Sequence, residues 1–141
     1  MSRRRLAHRA AVVEAAVLLT VAKVAVAVVP FRLLRRVLGQ HSPAGDETFG
    51  PLPPAAWRCG RAVEAAARRL PFATACLPRA IAGQLMLRRR GLAGTVVFGL
   101  ARQDGALLNH AWLEHEGAAV LGHQHDVAYA RTVELRAGGL R

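Results

Sequence analysis

The chain has 141 residues, enough for one domain with a modest core and too few for two independent ones. Apolar residues make up 52% of it and aromatics 5%, with 20 Lys+Arg against 9 Asp+Glu for a formal charge of +11. This composition excludes a disordered chain. The charge points toward polyanions, a membrane surface or acidic partners without choosing among them. Lys23 is the single lysine, and an Arg- and Ala-rich composition also follows from GC-rich coding, so nucleic-acid binding is not inferred. Two cysteines without dense spacing, and no small-residue cleavage site after the N-terminal arginines, read as reduced thiols of a cytoplasmic protein.

The first element is an apolar helix from about Ala10 to Val29, interrupted by Glu14 and Lys23 and closed by Pro30, whose ring is poorly tolerated in a helix interior. Its length approaches a membrane span, but each mid-membrane charge costs roughly 2.5–3.5 kcal/mol on insertion scales. A buried or interfacial helix is the favoured reading. Arg3-Arg4-Arg5 and the following Phe31-Arg-Leu-Leu-Arg-Arg-Val-Leu segment suit either a solvated face or contact with a membrane or acidic partner. Residues 1–38 are therefore expected to form a helical appendage. Residues 39–54, rich in turn formers and ending in prolines, are expected to form a linker.

Residues 55–136 read as the core domain, with 137–141 a frayed tail. Trp57, Gly60, Val63, Ala67 and Leu70 recur at helical spacing and predict an amphipathic helix that contains Cys59 in a setting with nothing to activate it. Leu70-Pro71-Phe72 breaks that helix. Thr74 is the expected N-cap of a second one running to Arg90, with Gly91 as its stop and Pro78 tolerated in the first turn. Thr95 to Ala101, Ala106 to Glu114 and Ala118 to Leu121, separated by Gln-Asp-Gly and His-Glu-Gly turns, predict three antiparallel strands. In the second strand the period of two puts His110, Trp112 and Glu114 on one face, opposite Ala111 and Leu113.

Cys76 starts a helix, where free N–H groups and the positive dipole end favour a thiolate, and His110 on a nearby strand has the chemistry to act as its base and later as an acid. Taken alone, both residues also fit a bland reading as a buried small hydrophobe and a satisfied polar residue. His115, His123, His125 and Asp126 offer zinc-type donors, but their spacing matches no standard metal site. No glycine-rich phosphate loop is present.

The run Cys76-Leu-Pro-Arg-Ala-Ile-Ala-Gly-Gln-Leu-Met-Leu-Arg-Arg-Arg-Gly, followed by His110-Ala-Trp-Leu-Glu-His-Glu-Gly, resembles the lasso-peptide leader peptidases. These are transglutaminase-like proteins related to the microcin-processing enzyme. The match covers roughly residues 55 to 125, and the apolar helix ending in Pro30-Phe31-Arg resembles the segment that precedes the domain in that family. The resemblance implies an α+β fold, a papain- or transglutaminase-like core with the cysteine helix packed on a small antiparallel sheet.

It also implies a cysteine peptidase that removes the leader from a lasso precursor peptide. A separate ATP-using, macrolactam-forming cyclase then closes the ring, and the peptidase itself needs no cofactor. Residues 1–54 read as helix and linker rather than the strands of a fused leader-recognition domain, so a separate recognition protein is the implied partner. Contact with the inner face of the membrane through the first helix is a further use of the basic surface.

Members of that family often carry an aspartate twelve residues after the histidine, where this chain has Gly122, which lacks a side chain to orient an imidazole. Asp126 is the favoured substitute, ahead of Glu114; a water or a backbone carbonyl is the remaining option, since the third member mainly fixes tautomer and orientation. Trp112 beside His110 reads as a shield against water or as a core aromatic, and Trp112 and Glu114 are the candidates for touching substrate. The competing reading of the whole is a non-catalytic scaffold or leader-binding component of the maturation complex.

Overall fold

The computed structural model describes residues 2–38, 40–43, 51–124 and 129–137. Helix α1 (Arg3–Val28) starts at Ser2, whose hydroxyl accepts a hydrogen bond from the Arg5 amide, and ends where Val29 turns extended before Pro30. The Pro30 carbonyl then accepts from the amides of Leu33 and Leu34 and so opens helix α2 (Phe31–Leu38). Helix α3 (Pro54–Arg69) places Pro54 in its first turn, where a missing N–H costs nothing. Helix α4 (Cys76–Arg89) runs behind the sheet.

The sheet has five antiparallel strands in the order β1-β5-β2-β3-β4. Strands β2 (Gly94–Gln103), β3 (Ala106–His115) and β4 (Ala118–Leu121) are the three expected from the sequence. Strand β5 (Ala130–Ala137) pairs with β2, and β1 (Gln40–Pro43), inside the expected linker, pairs with β5 from Gln40↔Arg136 to Pro43↔Val133. The residues after Ala137 lie outside the described set.

The helix expected as an appendage shares the core of the domain. Val12, Ala15, Leu19 and Ala22 of α1 are buried in one cluster with Ala62, Val63 and Ala66 of α3, Ala80, Met86 and Leu87 of α4, and Val96, Leu113 and Leu135 of the sheet. Burial on this scale contributes roughly 25 cal/mol per Å² of apolar surface removed from water, and the many alanines let the helix axes approach closely. The opposite face of α1 is also apolar, with Val13, Val17, Val21, Val24 and Val28 exposed. By length and hydropathy this helix suits a membrane span, although 22% of its most apolar window is buried inside the protein.

The two charges that interrupt α1 are its tertiary attachments. Lys23 Nζ donates to the Ala73 carbonyl at 2.7 Å and lies 4.5 Å from the centre of the Phe72 ring, just before α4. Glu14, two to three turns earlier, binds Arg89 at 2.7 Å and Arg90 at 2.8 Å at the other end of α4. The antiparallel pair α1/α4 is thus fixed at both ends.

Midway along α4, Gln84 is 1% exposed and donates to the Gly94 and Leu135 carbonyls, 3.1 Å each. This ties the helix to β2 and β5. On α3, a Cβ at Gly60 would sit 2.3 Å from the Val120 carbonyl oxygen, so the absence of a side chain there sets the close approach of α3 to β4.

The Arg90 hydrogen bond holds the Glu14 carboxyl below its ordinary pKa of 4.5, outweighing the opposing effect of burial. A depressed folded-state pKa stabilises the fold above the unfolded value and loses that contribution as the pH falls through the folded one. Because Arg89 is largely exposed, the contribution is about 1 kcal/mol. Glu14→Gln is expected to lower stability by that amount at pH 7 in urea titrations, with the difference fading as the pH drops below 4.5; a pH-independent difference would contradict the ion-pair assignment.

Candidate active site

Cys76 is the first residue of α4. Ala75, in an extended conformation, is the N-cap and makes no side-chain bond to the first turn. Thr74, expected in that role, instead accepts a hydrogen bond from Arg79 Nε at 3.1 Å. Pro78 has no N–H and the Arg79 amide bonds the Ala75 carbonyl, so the Cys76 and Leu77 amides are the ones in the first turn left without an intrahelical partner or a side-chain cap; the Cys76 residue is half-buried. Cys59 is different. It is 1% exposed, and burial pushes its thiol pKa up.

Cys76 and His110 line one cavity of about 410 Å³, shared with Leu77, Phe98, Gly99, Leu100, Asn109, Ala111 and Thr132. Gly99 of β2 pairs with His110 of β3, and Phe98 with Ala111, and α4 packs against both strands. Thr132 Oγ1 donates to the Phe98 carbonyl at 3.0 Å. No hydrogen bond joins Cys76 to His110 among the described residues.

The imidazole is held from behind. Its Nε2 hydrogen-bonds the Gly122 carbonyl, and because a carbonyl only accepts, Nε2 carries the proton and Nδ1 is the basic nitrogen of the neutral ring. Gly122, twelve residues after His110, thus holds the ring through its backbone carbonyl, the option left open beside Asp126 and Glu114. The geometry depends on the turn after β4, where Gly122 has φ +81°, a conformation that side-chain-bearing residues rarely adopt. Asp126, the favoured sequence candidate for this role, and His125 lie outside the described residues.

Trp112 stacks on the histidine ring at 6.1 Å between centroids and Tyr129 at 5.4 Å, and His123 meets Trp112 edge-on at 5.3 Å. Trp112, 1% exposed, and Glu114, 3% exposed, the sequence candidates for touching substrate, are buried and are not among the residues that line the cavity. Trp112 Nε1 donates to Glu114 at 2.9 Å. Arg131 of β5 grips Glu114 with two bonds of 2.6 and 3.0 Å and also binds Glu134, so Glu114 is committed to an ion network and does not substitute for the missing aspartate. His115 donates from Nδ1 to the Ala93 carbonyl at 2.5 Å and is buried.

Tyr129, Arg131 and Glu134 carry no motif in the sequence. Their part in the site follows only from β5 lying next to β2. Burial disfavours the Arg131 charge, but its hydrogen bonds to Glu114 and Glu134 outweigh that and raise its pKa. Arg131→Met removes the cation that the two buried carboxylates share and is expected to cost about 3–5 kcal/mol in chemical denaturation; a cost below about 1 kcal/mol, the range of an exposed pair, would contradict the network.

A family model described as the transglutaminase-like superfamily matches residues 11–134. No curated protein and no solved structure matches the chain. The match begins within α1, in keeping with the packing of that helix into the core, and runs into β5. Its superfamily includes cysteine peptidases. With a cysteine at a helix start and a histidine on the packed sheet at one cavity, the chain belongs to the transglutaminase-like superfamily.

Proposed function

We propose that this protein is a cysteine peptidase that removes the leader from a lasso-type precursor peptide, ahead of macrolactam closure by a separate ATP-using cyclase. His110 Nδ1 takes the Cys76 thiol proton as sulfur attacks the scissile carbonyl, and the C=O π bond opens to an oxyanion beside the first-turn amides of α4. Collapse of the tetrahedral adduct breaks the C–N bond, and the imidazolium returns its proton to the leaving amine. Water, deprotonated by the same nitrogen, then attacks the thioester and frees both the acid and the thiol. Cys76 and His110 are the catalytic residues in this reading. Gly122 is a positioning residue in place of an aspartate.

The observation that carries the reading is the shared cavity: the uncapped helix start brings Cys76 to the space lined by a histidine whose far nitrogen is already engaged. Leu77, Phe98 and Leu100 on its walls favour an apolar peptide side chain near the scissile bond. The lasso assignment rests on the Cys76 and His110 motifs of the sequence, with a separate leader-recognition protein and the cyclase as the proposed partners.

The test is cleavage of a lasso precursor peptide by the purified protein in the presence of a recognition protein, read by mass spectrometry. Cys76→Ala is expected to abolish cleavage, His110→Ala to slow it by about 10²–10⁴-fold, and Cys59→Ala to leave it near the wild-type rate. Cleavage that survives Cys76→Ala would exclude this nucleophile. Failure of the wild type to cut a precursor that it binds would favour the scaffold reading.

A further inference from the structure

A second cavity, of about 800 Å³, opens where the first turns of α1 and α3 meet the C-terminal end of α4. Its walls carry Arg3, Arg4, His8, Arg58 and Arg90, and its floor is Cys59 with three alanines. No carboxylate lines it among the described residues. Glu14 is taken up by Arg89 and Arg90. We propose that this cleft is a binding site for an acidic peptide segment.

Several features add positive potential at one place. The N-terminal ends of α1 and α3 meet there and contribute the positive ends of two dipoles against the negative end of one, that of α4. Arg58 Nε donates to the Pro54 carbonyl at 3.2 Å across the first turn of α3, whereas Arg90 is held by the Met86 carbonyl at 3.0 Å and by the Glu14 carboxylate, so the free positive charge of the cleft is that of Arg3, Arg4 and Arg58. Planar guanidinium groups recognise carboxylates through paired hydrogen bonds. Arg3, Arg4 and Arg58 are exposed and open to such a partner.

Size and lining choose a peptide among anions. The volume is in the range of organic-ligand and peptide pockets and well beyond a single phosphate, which would leave the methyl and thiol floor uncovered. Asp or Glu side chains alternating with small apolar ones satisfy the arginine rim and the floor together. Single-stranded nucleic acid calls for aromatic stacking platforms, and no Phe, Tyr or Trp lines the cleft among the described residues. The cleft lies at the far end of α4 from Cys76, about 20 Å away by the rise per residue, a span that about six extended residues cover. The inference stands on the cleft alone and holds whether or not Cys76 is a nucleophile.

A fluorescently labelled dodecapeptide of alternating Glu and Ala, followed by anisotropy with the full chain, tests it against the same peptide with Gln for Glu. The Glu peptide is expected to bind and the Gln peptide to bind at least about tenfold more weakly. The exposed double variant Arg4→Gln/Arg58→Gln is expected to lose about tenfold, whereas Arg32→Gln/Arg35→Gln on α2, with the same change in charge outside the cleft, stays within about twofold. Equal losses in the two doubles would assign the affinity to diffuse attraction and overturn the proposal. Equal binding of the Gln peptide, or displacement of the Glu peptide by equimolar inorganic phosphate, would overturn it as well.

Discussion

The placement of α4 decides where the rest of the protein goes. This helix is buried between α1 and α3 on one side and the sheet on the other, and it is located along its own axis by three polar attachments. Lys23 reaches the Ala73 carbonyl at its start, Gln84 bonds β2 and β5 at its middle, and Glu14 pairs with Arg89 and Arg90 at its end. A helix packed by methyl groups alone slides at small cost, because alanine surfaces offer few interlocking shapes. The polar attachments remove that freedom, and so they fix where Cys76 emerges relative to β2 and β3.

The same economy appears at His110. A carboxylate in the third position of a cysteine–histidine pair orients the imidazole and also stabilises the imidazolium; a carbonyl does the first fully and the second only through its dipole. Gly122 supplies that carbonyl from a left-handed turn. Trp112 and Tyr129 stack against the ring, and the Glu114–Arg131–Glu134 network anchors Trp112 through its indole nitrogen. Orientation therefore comes from a turn, two aromatic faces and a buried ion cluster. Charge stabilisation of the kind an aspartate gives is missing from that set of described residues, which does not include Asp126.

Much of this was legible in the residues and some was not, for physical reasons. The Cys76 helix, the three strands β2 to β4 and the shared face of His110, Trp112 and Glu114 follow from period and turn chemistry. The role of α1 does not, because both of its faces are apolar: Val12, Ala15, Leu19 and Ala22 are buried while Val13, Val17 and Val21 are exposed, and no pattern separates them. Strand β1 is four polar or turn-forming residues, recognisable only from its pairing with β5. Strand β5 hides because Glu134 is buried and Arg131 half-buried, where the alternation rule expects apolar side chains. At residue 122 the sequence shows only a missing side chain, whereas the structure uses the main chain that every residue has.

Activation of Cys76 by His110 is readable in the rate of thiol alkylation without any knowledge of the substrate. Iodoacetamide labelling at pH 7, followed by mass spectrometry for each cysteine, compares the native protein with His110→Ala. Cys76 is expected to react far faster than the buried Cys59, and the substitution to slow Cys76 at least about tenfold. A Cys76 that reacts at the same rate in both proteins, with no dependence on His110, would contradict that activation.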